Sequence, residues 1–222
     1  MVLLCTLGCL QLKAEKNKFN DGAEKNESVS PFTLNPSGSS FEGITESGFF
    51  VHFGIVIPSK NYFFPVEFDN DSDFKYGIGP CLELGHMFRI TELDDNIAIG
   101  IRGTWFSALY TKLKIDDTTS LDALQGSIMR AGPYFTYGLS DEIAIDAYYQ
   151  IGPAVLVDIY EDEGDPYLGA THSIGIGFRF NVLSVGMDYN FGNLKYIGDN
   201  EFIDPDIRFR TNHMRLYVGV KI

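Results

Sequence analysis

Leu183, Val185, Met187, Tyr189 and Phe191 alternate with Ser184, Gly186, Asp188, Asn190 and Gly192. Near the C-terminus, Met214, Leu216, Val218, Val220 and Ile222 alternate with His213, Arg215, Tyr217, Gly219 and Lys221. Successive side chains of a strand point to opposite faces, so this period of two predicts strands with one apolar face each. The same reading predicts strands over about 48–57, 74–90, 96–112, 127–139, 142–159 and 168–181, which with the two C-terminal ones makes about eight. No window after residue 47 has a convincing helical period.

The polar faces are unusual, being rich in glycine and in small hydroxylated or charged residues. A soluble sheet turns long polar side chains to water, and glycine inside a strand is costly. Such a face suits the crowded lumen of a narrow barrel, which leaves the apolar face against lipid. The connections then alternate in length. Short turns are expected near 92–95, 140–141 and 181–182, and long polar segments at 58–73, 113–126, 160–167 and 197–207. Bacterial transmembrane barrels have short periplasmic turns and longer outer loops. The predicted fold is therefore all-β: a closed antiparallel up-and-down transmembrane β-barrel of about eight strands, with short periplasmic turns and long outer loops. A soluble lipocalin-like ligand-binding barrel is the alternative, because alternation alone does not say which face is inside.

The 222 residues suffice for one such domain, and 14% aromatics with 23 glycines fit it. A net charge of −13 argues against a general nucleic-acid partner, which needs clustered Lys and Arg. Residues 1–14 read as a signal peptide: an apolar run from Met1 to Leu12, then Ala14 as a cleavage site. The basic residues usual ahead of that run are missing, so a truncated start is expected. Cys5 and Cys9 fall within it, leaving Cys81 for the mature chain; Cys9 after Gly8 is also a lipid-attachment candidate. Residues 15–46, rich in Asn, Glu, Ser and Gly, are expected to be a flexible polar leader, and 47–222 the barrel.

The architecture and the terminal segment resemble the small eight-stranded outer-membrane β-barrel proteins of Gram-negative bacteria, the group of the OmpA membrane domain and OmpX. The resemblance covers about 47–222. Arg215, Tyr217, Gly219, Val220 and Ile222 look like the C-terminal signal read by the barrel-assembly machinery, with Ile222 where many such signals carry Phe. It implies the cell outer membrane as location, with outer-membrane lipid and lipopolysaccharide as surroundings. It implies no particular activity.

An eight-stranded barrel is filled by side chains. The expected lumen polar network is His52, Glu83, Arg89, Arg102, Arg130, Asp146, Arg179, Asp188, Arg215 and Lys221. Phe49, Trp105, Tyr110, Tyr137, Phe178 and Phe180 are expected in interfacial girdles. The outer segments are acidic: Asp69, Asp71 and Asp73, then Asp116 and Asp117, Glu161 to Glu163 with Asp165, and Asp199, Glu201, Asp204 and Asp206. The first group begins like a calcium loop and then fails, with Phe74 at the turn glycine and Pro80 at the bidentate Glu position. No catalytic, cofactor or metal residue is expected. His172 and Ser173 are neighbours in a strand and would diverge, and no hydrolase, zincin or phosphate-loop motif occurs. The expectation is an integral, non-enzymatic barrel with a structural or surface-interaction role through its acidic loops. A lipid-modifying enzyme and a narrow channel are the alternatives.

Overall fold

A computed structural model of the protein describes residues 42–63, 75–94, 96–114, 120–160, 163–198 and 208–222. Its elements are a one-turn helix α1 (Glu42–Thr45) and ten strands: β1 (Gly48–Pro58), β2 (Lys75–Tyr76), β3 (Gly79–Asp94), β4 (Ile97–Lys114) and β5 (Ser120–Ser140), then β6 (Ile143–Tyr160), β7 (Glu163–Phe180), β8 (Leu183–Tyr196), β9 (Arg208–Arg210) and β10 (His213–Lys221). Eight of them pair in the order β1-β3-β4-β5-β6-β7-β8-β10, and β10 closes on β1. The closing register runs antiparallel from Phe50 against Lys221 to Pro58 against His213. The short strands β2 and β9 extend β4 and β8 at the long-loop end.

Closure assigns the two faces. Phe53, Ile55, Ile174, Ile176, Phe178, Val185 and Met187 are exposed on the outside, whereas Glu83, Arg102, Arg130, Asp188 and Arg215 are buried inside. The soluble ligand carrier needs the reverse arrangement, so the fold contradicts it.

The glycine-rich inner face has a steric cause. Gly85, Gly100, Gly175 and Gly186 stand directly opposite Phe50, Tyr134, Tyr148 and Tyr217 on neighbouring strands. A Cβ at any of the four would lie within 2.5 Å of that ring or its hydroxyl. Each glycine is the seat on which an opposing ring lies flat along the wall. A lumen this narrow holds four such rings only where the partner position has no side chain.

The strands run further than alternation predicted. The expected loop 113–126 is strand from Ser120, and the expected loop 160–167 is strand from Glu163. Two irregularities hide this in the sequence. At Trp105–Phe106 and at Ile128–Met129 two consecutive residues are exposed, the register shifts, and Met129 takes φ 52°. A bulge of this kind reverses the parity of every later position. The helical turn α1 also lies within the segment expected to be a flexible leader. Ile44 and Thr45 are buried, and Thr45 donates to Glu92 Oε1 at 3.1 Å.

Candidate functional site

The lumen is built in three layers. At the short-turn end, Arg179 binds Asp146 through Nε and Nη2 at 2.6 and 3.0 Å, and Thr136 donates to the same carboxylate at 2.5 Å. The middle layer centres on Glu83. Its carboxylate accepts from Arg102 at 3.0 Å, Arg130 at 3.0 Å, Arg215 at 2.8 Å and Thr104 at 2.7 Å, with His52 Nδ1 at 3.3 Å. Asp188 accepts from Arg215 Nε at 3.1 Å and from Tyr148 at 2.8 Å. Asn190 links Arg130 to Asp188, and Gln150 donates to Thr104 and to the Arg102 carbonyl. Arg102 is clamped between the Phe50 and Tyr148 rings, 3.9 and 4.1 Å from their centroids. His52 stacks between Phe50 and Tyr217. Buried charges persist only when paired and hydrogen-bonded; the central network draws on every ring strand except β7, which supplies Arg179 to the layer below.

The third layer, at the long-loop end, is largely aromatic and aliphatic, with Tyr62 donating to Gln125 and Tyr167 to Asp158. Tyr62, Ala123, Ala154, Leu156, Tyr167, Leu194 and Tyr196 form a buried cluster, with Phe63 and Phe209 packed on it. Phe63 holds φ 51° while stacked on Phe209 at 4.9 Å. Burial pushes the Tyr62 phenol above its usual range. Between the middle and upper layers, a void of about 10 Å³ touches Arg130, Asn190, His213 and Arg215. That is room for about one water.

The expected lumen residues divide accordingly. His52, Glu83, Arg102, Arg130, Asp188 and Arg215 share the central network, while Asp146 and Arg179 form a separate pair. Arg89 is only half-buried at the short-turn rim, where it pairs with Glu92 and reaches Thr45 at 3.3 Å, so it is not part of the lumen network. Lys221 donates to the Glu46 carbonyl at 2.5 Å at the same end. Thr104, Tyr148, Gln150 and Asn190 also belong to the network and are not among the expected lumen residues, although Asn190 falls on a predicted polar face. For Thr104, Gln150 and Asn190 the available signal is alternation with outward Trp105, Tyr149, Ile151, Tyr189 and Phe191; the inward Tyr148, beside outward Tyr149, carries none.

Phe49, Phe178 and Phe180 lie near the short-turn end and Tyr137 three residues before the end of β5, whereas Trp105 sits at the bulge in mid-β4 and Tyr110 near its outer part. Of the terminal segment, Arg215, Tyr217 and Gly219 face the lumen, and Val218 and Ile222 are exposed outside. The acidic residues at 69–73, 116–117, 161–162 and 199–206 lie outside the described residues. His172 and Ser173 do diverge, with Ser173 buried and His172 on the outer wall against Tyr149. Among the described residues no group of three His, Cys, Asp or Glu could hold a metal ion.

Outside, β8 presents Leu183, Val185, Met187, Tyr189 and Phe191 and turns polar at Asn193 and Lys195. β4 presents Ile97, Ile99, Ile101, Trp105, Phe106 and Tyr110 before Lys112 and Lys114. Monomeric soluble proteins rarely leave so continuous an apolar surface in water, and a closed strand ring satisfies its whole backbone in hydrocarbon. This is a transmembrane β-barrel of the outer-membrane type. β6, with 18 residues at about 3.3 Å each and a tilt of about 40°, reaches roughly 45 Å, against an apolar band of about 25 Å. Its upper part, with the apolar inner layer, therefore stands clear of the bilayer.

Solved structures with a similar chain path are outer-membrane or surface proteins. The Yersinia pestis attachment invasion locus protein Ail, in complex with the heparin analogue sucrose octasulfate, shares 14% identity over 80% of this chain and 99% of that one, at a TM-score of 0.44. Neisserial surface protein A shares 14% over 78% and 96%, at 0.43. OprG of Pseudomonas aeruginosa shares 9% over 80% and 97%, at 0.38. No protein-family model matches the sequence, and no curated protein does. At this level likeness carries no functional information; the ring closure and the apolar belt are what place this chain in a bilayer.

Proposed function

We propose that the protein is a non-conducting outer-membrane anchor that presents its long connections at the cell surface, where they contact lipopolysaccharide, host surfaces or protein partners. The observation that carries this reading is the filled lumen. Three guanidinium groups converge on Glu83, and an aromatic layer closes the bore above them. A barrel without a path through it acts through its surfaces, and binding residues on rigid scaffolds concentrate in loops. The acidic outer segments are the contact surface in this reading. The short turns face the periplasm, and the terminal strand serves as the assembly signal. A lipid-modifying activity would need a nucleophile and a base within hydrogen-bond reach on the rim. His52 instead lies deep in the lumen against Glu83, and His172 is held by Tyr149.

The test is gel mobility of full-length protein from washed outer membranes, with and without boiling. A heat-dependent shift in a urea-resistant membrane fraction is expected. Soluble protein without a shift would overturn the reading.

A further inference from the structure

The apolar outer wall is not equally tall all round the ring. On β1, β8 and β10 five outward positions counted from the short-turn end are apolar, the last being Ile57, Phe191 and Met214. Ser59, Asn193 and Asn212 follow them. On β6 the outward run has nine positions, from Ile143 to Ile159, and none is charged. On β7 the outward residues from Phe180 to Gly164 hold no Asp, Glu, Lys or Arg either. Outward positions on a strand tilted by about 40° are about 5 Å apart in height. Five therefore span about 25 Å, the height of the hydrocarbon band, and nine span about 45 Å. About 20 Å of apolar wall stands above the bilayer on one side only.

This excess is a single patch. Tyr110, Leu124, Val157 and Pro166 form a row across β4 to β7, each the direct partner of the next. Gly126, Val155 and Leu168 form the row below, and Ile159 lies above. Leu124, Val155, Ile159 and Leu168 keep 40–45% of their surface exposed, and the Lys112–Asp122 pair borders them. The patch offers roughly 450 Å², as large as the biggest apolar patches that monomers leave in water.

Lipid does not account for it. The lower edge of the belt is level, so tilting the barrel to sink the tall side would drag the opposite rim out of register. Thickening the bilayer on one side would have to add about 20 Å, against the few ångströms by which membranes differ. A second copy of the chain carries the same patch at the same height above the same membrane. A two-fold axis along the membrane normal sets identical patches face to face.

We propose that the outer face of β5 to β7 docks a second copy of this chain, with Val157 of each barrel beside the axis. The contact continues down the belt through Pro153 and Ile151, which brings the two faces to the roughly 1,000 Å² of a specific interface. The inference rests on the orientation given above, with the long-loop end outside.

Full-length barrels labelled at the N-terminus with a donor or an acceptor dye, inserted together into phosphatidylcholine vesicles, report association by energy transfer. Transfer should persist as the barrels are diluted with lipid. Val157→Glu and Val157→Lys should each weaken association at least about a hundredfold, because each sets like charges against each other across the axis. Mixing the Glu and Lys variants should restore most of the transfer, which only a copy-to-copy contact at this residue explains. Wild-type transfer that falls to the chance level on dilution would overturn the proposal, whatever else covers the wall. Undiminished association of either charged variant, or no recovery in the mixture, would also overturn it. Should a charged variant fail to fold, Val155→Thr/Val157→Thr decides, and association must weaken roughly tenfold. Wild-type protein lacking a heat-dependent mobility shift would instead overturn the barrel reading itself.

Discussion

Replacing Glu83 by Gln keeps the shape of the central network and removes its main anion. Three guanidinium groups lie within 3.0 Å of that carboxylate. A unit pair about 4 Å apart is worth about 4 kcal/mol at an effective dielectric near 20, so the gross attraction is about 12 kcal/mol. Desolvation of the carboxylate offsets several kcal/mol of this, and breaking a buried ion pair typically costs about 3–5 kcal/mol. The expected loss is therefore about 4 kcal/mol. The charge count sharpens the test: Arg102, Arg130 and Arg215 face Glu83 and Asp188, which is 3 − 2 = +1 with His52 neutral. Glu83→Gln leaves 3 − 1 = +2, and adding Arg130→Met returns it to +1. The double variant should recover about 2 kcal/mol of the loss, a coupling expected of groups in one network. Urea unfolding in lipid vesicles, followed by gel mobility, reads these values. A Glu83→Gln loss below about 1 kcal/mol, or no recovery with Arg130→Met, would refute the network as described.

Other outcomes follow from the packing. Gly186→Ala places a methyl group 2.4 Å from the Tyr217 hydroxyl and should cost about 1–3 kcal/mol, whereas Gly103→Ala, with nothing nearer than 3.8 Å, should be neutral or slightly stabilising in the same unfolding assay. Planar bilayer recordings should show negligible conductance, and large stable channels would contradict the filled lumen. Trp105, the sole tryptophan, lies half-exposed on the outer wall, so its fluorescence should be quenched by lipids brominated in their acyl chains and little affected by aqueous iodide.

Within the bilayer the chain was legible because two solvents, lipid outside and side chains inside, impose opposite demands on successive residues. Leu183 to Gly192 shows this, and the structure alternates it outward and inward without a break. Above the bilayer the demands stop opposing each other. Ala154 and Leu156 point into the apolar upper layer while Val155 lies outside, so the sequence there is apolar at every position and its period vanishes. Phe106 and Met129 shift the phase by one residue each, which no count of period two registers. The inward charges could be named but not paired, since pairing depends on how strands slide past one another. Arg89 shares the inner parity of Glu83, yet it lies too near the strand end to reach the central network.

The partners of Glu83 lie 19, 47 and 132 residues away from it. The nearest two arrive with the hairpins that follow β3, but Arg215, which also serves Asp188, belongs to the last strand of the ring. Until that strand docks, Glu83 already has two guanidinium partners, but Asp188 lacks the one it needs in order to leave water. A half-built wall is therefore held back from hydrocarbon by Asp188, whose guanidinium has not yet arrived, and contacts of long sequence separation form late. Insertion and seam closure should then happen as one event, timed by the arrival of a single arginine.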